Sequence, residues 1–126
     1  MGLILDTGGL IAFDRGNREV AAMLEASRRR RDPVLTSSGC VAQAWREGGA
    51  RQALLTRLLR GLSEHELGQG VSRNVGELCA RSGTADVIDA HLALLVRDHD
   101  TVLTSDVTDI RRLLTARSCT ALVRHC

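Results

Sequence analysis

The sequence predicts an α/β fold, a parallel sheet with helices on both faces, and three observations predict it. Short aliphatic runs recur along the chain, helical stretches with an apolar stripe separate them, and the first run, Leu3-Ile4-Leu5, contains no polar residue. A strand buried on both faces is apolar without alternation, and strands separated by helices pair in parallel. The chain has 126 residues, 44% of them hydrophobic and 25% charged. That describes one domain, residues 1–126, able to bury a real core.

Taken in order, residues 2 to 6 form the first strand, and Gly8-Gly9 lets the chain turn sharply into a short helix from about Thr7 to Phe13. The cluster Asp14-Arg15-Gly16-Asn17 is a turn, and Asn17 caps a second helix to about Arg31 with Val20, Met23, Leu24 and Ser27 on one face. Arg28 to Arg31 close that helix, where cations complement the dipole. Pro33 to Thr36 is a second strand. Ser37 or Ser38 caps a helix carrying Cys40, Val41, Ala44 and Trp45, which Gly48-Gly49 ends. Leu54, Leu55, Leu58, Leu59 and Leu62 stripe a helix from about Arg51 to Leu62, a face for the core or for a second subunit. Residues 62 to 69, with Glu64, His65 and Glu66, leave open a short edge strand. Val71, Val75, Leu78 and Cys79 resume a helix, and Thr84 caps another from Ala85 to about Asp98. Thr101 to Thr104 is a strand, a helix with Ile110, Leu113 and Leu114 follows, and a strand near Ala121-Leu122-Val123 ends the chain.

Composition excludes several functions. All 17 basic residues are Arg, so no mechanism that needs a lysine is available, including the phosphate-binding lysine of a P-loop. One Phe, one Trp and no Tyr argue against stacking bases on aromatic platforms. The net charge of +2 does not by itself indicate a nucleic-acid partner, although guanidinium forks suit phosphate oxygens. The four cysteines are scattered, with no zinc-type spacing, and read as small hydrophobes or free thiols. No apolar run approaches the ~20 residues of a membrane span, and no signal-peptide pattern opens the chain. The expected compartment is the cytoplasm, with no membrane role.

The chemistry lies in the aspartates. Asp6 follows the first strand and Asp106 follows Thr101-Val102-Leu103-Thr104, so both sit at carboxyl ends of strands, where open α/β folds build their sites. Asp86 lies in the first turn of a helix, and Asp89, three residues on, projects from the same face beside Ala90 and Ala93. Small alanines let that helix sit close to the sheet and bring Asp86 towards Asp6 and Asp106. Asp109 stands one turn beyond Asp106. The competing reading is that each Asp is a helix cap or turn residue. Gathered carboxylates repel unless a cation joins them, and Mg²⁺, a hard ion with oxygen ligands, is the natural partner.

Leu5-Asp6-Thr7, Thr36 to Arg46, Thr84 to His91 and Val102 to Asp109 together resemble PIN-domain proteins, most closely the VapC-type toxins of bacterial toxin–antitoxin systems. The resemblance covers nearly the whole chain in the family's order. It implies a three-layer αβα sandwich with a mainly parallel central sheet. It also implies Mg²⁺- or Mn²⁺-dependent endoribonuclease activity leaving 3′-hydroxyl and 5′-phosphate ends, a homodimer, and a cognate antitoxin that silences it. Asp6, Asp86 and Asp106 match the family's acidic metal-holding positions, and Thr104 matches the Thr of its Thr-x-Asp pattern. Arg46, Arg15 and Arg112 are candidates to hold the RNA backbone at the site mouth.

One position departs from the family. Gln43 stands where a Glu is usual; it offers an oxygen without charge, and Asp89, Asp109 or Glu47, four residues on, could make up the missing carboxylate. The alternative function is therefore a catalytically impaired PIN-like module that binds RNA or an antitoxin. Haloacid-dehalogenase-type phosphatases and phosphoacceptor receiver domains also place Asp after a first strand. Both need a Lys that is absent, and the former needs a second Asp where Gly8 stands.

Overall fold

A computed structural model describes residues 1–126. Strand β1 (Leu3–Leu5) leads into α1 (Thr7–Asp14) and α2 (Arg18–Arg30), then β2 (Val34–Ser37) into α3 (Ser38–Ala44) and α4 (Ala53–Gly61). Strand β3 (Ser63–His65) is followed by α5 (Gln69–Ser82) and α6 (Val87–Leu95), β4 (Thr101–Thr104) by α7 (Val107–Ala116), and β5 is Leu122–His125. The expected edge strand at residues 62–69 is β3.

All five strands are parallel in the order β3-β2-β1-β4-β5. Helices α1 to α4 pack among themselves, and so do α5 to α7, as right-handed crossovers running first one way and then the other from β1 require. The result is the expected three-layer αβα sandwich. Leu3, Ile4 and Leu5 are buried between the layers, with Leu10, Val20 and Leu55 from one side and Leu92, Ile110 and Leu113 from the other. The chain reverses direction across the sheet between β1 and β4, so the topological switch point lies there, with its crevice at their carboxyl ends. No helix is long and apolar enough to cross a membrane.

Several boundaries differ from the sequence reading, each for a local reason. Helix α3 stops at Ala44, and Trp45 is its extended, exposed C-cap. The cause is Gln52, whose Oε1 accepts the backbone N–H groups of Arg46, Glu47 and Gly48 at 2.9, 3.1 and 2.8 Å. Glu47 is consequently off the helix that carries Gln43 and pairs with Arg51 at 3.2 Å. Helix α6 starts later than expected because Asp86, not Thr84, caps it; the Thr84 hydroxyl accepts the Asp86 N–H instead, at 3.3 Å. It also stops early, at Leu95. The Asp100 carboxylate takes the Arg97 N–H at 2.8 Å, and the Arg117 guanidinium takes the carbonyls of Ala93 and Val96 at 2.8 and 2.7 Å. The Arg28 to Arg30 run closes α2 as expected and pairs with Glu25 and Asp32.

Gly8 and Gly9 are needed for space. They lie in the first turn of α1 without positive φ. A β-carbon on Gly9 would stand 2.9 Å from the Leu103 carbonyl oxygen, and one on Gly8 would stand 2.8 Å from the Ser105 backbone nitrogen. Their absence of side chains lets α1 press against the end of β4 and so draws Asp6 to Asp106's side of the crevice.

Candidate metal centre

Register sets the first contact. Leu5 pairs with Leu103, so Asp6 and Thr104 are level one residue further on, and the Asp6 N–H continues the ladder to the Leu103 carbonyl at 3.1 Å. Both side chains are buried, and the Thr104 hydroxyl donates to Asp6 Oδ2. The same hydroxyl oxygen accepts the Asp106 N–H at 2.8 Å, which ties the turn after β4 to Asp6. Asp6 Oδ1 accepts the Gly9 N–H at 2.9 Å, capping α1.

Asp86 and Asp106 are caps as well. Asp86 Oδ1 accepts from the N–H groups of Ile88 and Asp89 at 3.0 Å each, and Asp106 Oδ1 from Asp109 at 3.3 Å. Capping and gathering are therefore not alternatives. Three helices, α1, α6 and α7, point their N-termini at one crevice, and the residue that caps each brings a carboxylate there. Ala90 and Ala93, fully buried on α6, permit its close approach.

The carboxylates whose oxygens lie within 4.8 Å of one another are those of Asp89, Asp106 and Asp109. Asp6 and Asp86 flank this trio rather than belong to it, so the tightest grouping is not the Asp6, Asp86 and Asp106 set read from the sequence. Electrostatics joins all five. Burial and then the charges of Asp86, Asp6, Asp106 and Asp109 push the Asp89 carboxyl up to about 7. Burial raises Asp6, against the lowering effect of its bonds from Thr104, Gly9 and Gly8, and Asp106 adds to the rise. A hydrogen bond with Asp106 and its charge raise Asp109, opposed by the nearby Arg112 guanidinium. The donor set is all hard oxygen and carries excess negative charge, which fits a hard divalent cation.

The remaining candidates separate. Gln43 is exposed on α3, and its Oε1 accepts the hydroxyl of Thr7, the residue after Asp6. Arg112 lies beside Asp109. Arg15 lines a cavity of 570 Å³ with Gly8 and Ser105. Arg46 is turned back on α3, donating to the carbonyls of Ala42 and Trp45 at 3.2 and 2.9 Å. Two residues near the crevice escaped the sequence reading. Ser105 touches Gly8, and Cys126 follows β5, its N–H bonded to the Thr104 carbonyl at 3.0 Å. Burial, with Asp6 and Glu19 nearby, pushes the Cys126 thiol up to about 11, which keeps it protonated. No local signal marks either, because both arrive through the pairing of β4 with its neighbours.

An all-parallel 3-2-1-4-5 sheet with helices on both faces is a PIN-like α/β fold, here with aspartates at its switch point. No family model matches the sequence, and neither does any curated protein. Among solved structures, the chain is similar to one in the crystal structure of VapBC2 from Rickettsia felis bound to a DNA fragment from their promoter. The TM-score is 0.69 at 16% identity, over 100% of this chain and 99% of that one, and the likeness is one of fold.

Proposed function

We propose that the chain is a divalent-metal-dependent endoribonuclease, the toxin of a type II toxin–antitoxin pair. The observation that carries this reading is the crowding of five aspartates, from three separate stretches of chain, at the switch point of the sheet. Such repulsion is tolerable when a cation is shared, and Mg²⁺ or Mn²⁺ suits carboxylate oxygens. Asp6, Asp86 and Asp106 would hold the ion, with Asp89 and Asp109 as the further ligands. The chemistry a bound ion supplies is activation of water and stabilisation of charge on a phosphodiester.

The other residues have supporting roles. Thr104 fixes the Asp6 carboxylate by donating to it and fixes the Asp106 turn by accepting from it. We assign Arg112, beside Asp109, and Arg15, in the Gly8–Ser105 cavity, to RNA phosphates; Arg46 uses its Nη1 on the carbonyls of Ala42 and Trp45. The similar fold in a VapBC2 complex supports an antitoxin partner, and we extend the reading to a homodimer.

A second reading, a binding module with impaired catalysis, is favoured by one observation. Gln43, which brings no charge, spends its carboxamide oxygen on Thr7. Expression without an antitoxin, combined with an RNA cleavage assay in Mg²⁺ and in EDTA, decides between the two. Growth arrest with metal-dependent cleavage supports the nuclease; normal growth and RNA binding without cleavage support the module.

A further inference from the structure

Two turns meet beside the acidic crevice and leave a cavity between them. It has a volume of 570 Å³, and its lining includes Gly8 and Ala12 of α1, Arg15 and Asn17 of the turn to α2, Ser105, and Cys126. Gly8 lies two residues after Asp6, and Ser105 immediately precedes Asp106, so the cavity is walled by the turns that carry two of the carboxylates, although no carboxylate lines it. The two turns touch at its floor, where a β-carbon on Gly8 would stand 2.4 Å from the Ser105 hydroxyl.

The volume falls in the range of small-ligand sites, about 300 to 1,000 Å³, and accommodates a nucleotide. Its walls differ in chemistry. Ala12 and Cys126 give an apolar side. One turn on from Ala12, Arg15 is exposed at the end of α1 and has no carboxylate partner among the ion pairs of the structure. Asn17 uses its Oδ1 to cap α2 through the Val20 N–H at 3.0 Å, which leaves its amide hydrogens to donate. A cation, an amide donor and a hydroxyl beside an apolar side match a phosphate, a sugar and a base edge.

We propose that this cavity is a subsite for the nucleotide adjoining the scissile phosphate, with Arg15 on its phosphate and Asn17 and Ser105 on its sugar and base. The inference rests on the ribonuclease reading above and deepens it. Arg15 is a positioning residue here, and Ala12 marks the space the base occupies.

The test measures binding and cleavage separately on the full chain. Binding of a fluorescein-labelled, mixed-sequence single-stranded RNA is followed with Ca²⁺ in place of Mg²⁺, over a range of salt, and cleavage of the same RNA is followed with Mg²⁺. Arg15→Ala is expected to weaken binding about tenfold, the loss of one charge-assisted contact, and to lower the salt slope by about 0.7. Arg15→Lys should keep that slope. Ala12→Leu, which fills the cavity without changing charge, should weaken binding with the slope intact and alter base preference in cleavage. If Arg15→Ala and Ala12→Leu bind and cut like the wild type, the subsite is wrong. If both weaken binding while no form cuts with Mg²⁺ or Mn²⁺, the cavity is a nucleotide-binding site with no scissile phosphate beside it, and the nuclease reading falls. A wild type that neither binds nor cuts overturns both.

Discussion

Thr104, the last residue of β4, stands level with Asp6, the residue after β1, and its buried hydroxyl donates to the Asp6 carboxylate across the switch point of the sheet. Because the same oxygen accepts the Asp106 N–H, one hydroxyl sets the positions of two acids. Replacing Thr104 with Val keeps the shape and removes both bonds. The expected cost is about 1–3 kcal/mol, the penalty for leaving buried polar groups without partners. Thr104→Ser should recover most of the stability and activity. Thermal unfolding of the two variants checks this, and equal melting of wild type and Thr104→Val would contradict it.

The Asp89 carboxyl, held near 7 by burial and by four neighbouring carboxylates, makes stability depend on pH. Its folded-state value lies above the ordinary 3.8, so the folded protein binds the extra proton between those limits. Without metal, its contribution to stability should be complete below about 3.8 and be lost as pH rises through about 7. Asp89→Asn should flatten that decline and raise the melting temperature at pH 8 in EDTA. Mg²⁺ should release protons near pH 7, measurable by calorimetry in buffers of different ionisation enthalpy. Proton-neutral binding would count against a shared ion at Asp89.

Gln43→Glu restores a carboxylate on α3 while keeping an oxygen for the Thr7 hydroxyl. Added negative charge should tighten Mg²⁺ binding about three- to tenfold, in line with ~1 kcal/mol of attraction between partly solvated charges. The same change should lower stability in EDTA by adding to the repulsion. A variant with unchanged metal affinity would remove Gln43 from the centre.

Gly8→Ala tests the close approach of α1 to the turn after β4. The added carbon would meet the Ser105 hydroxyl at 2.4 Å and its backbone nitrogen at 2.8 Å, so the turn that carries Asp106 must move. Overpacking of this kind costs about 1–3 kcal/mol, and Mg²⁺ affinity should fall with it. Intact affinity in a destabilised variant would show that Asp106 tolerates the shift.

The strands and the acids at their ends were legible because a parallel strand buried on both faces leaves a compact trace: an apolar run, then the first polar residue at the crevice. Leu3-Ile4-Leu5-Asp6 has that form, and in Val102-Leu103-Thr104-Ser105-Asp106 the first polar residue is Thr104, with the acid two residues on. The tightest carboxylate trio was not legible. Whether Asp86 or Asp89 comes nearest Asp106 depends on where α6 begins, and with Asp86 as its cap it is Asp89, in the first turn, whose carboxylate falls within 4.8 Å of Asp106 and Asp109. The end of α3 was hidden for a similar reason. Gln52 reaches three backbone N–H groups through a side chain, and no periodicity or turn residue announces such a contact.

The most direct test is cleavage of single-stranded RNA by wild type and Asp6→Asn, in Mg²⁺ and in EDTA, with RNA binding measured alongside. Asn keeps an oxygen for the Gly9 N–H at the helix cap, and its amide can donate to the Thr104 hydroxyl where the carboxylate accepted from it, so the fold should persist while the charge is lost. The expected result is metal-dependent cleavage by the wild type, a fall of about 10²-fold or more in the variant, and RNA binding largely kept. Cleavage that survives EDTA, or that Asp6→Asn leaves untouched, would contradict a metal-dependent nuclease centred on these aspartates.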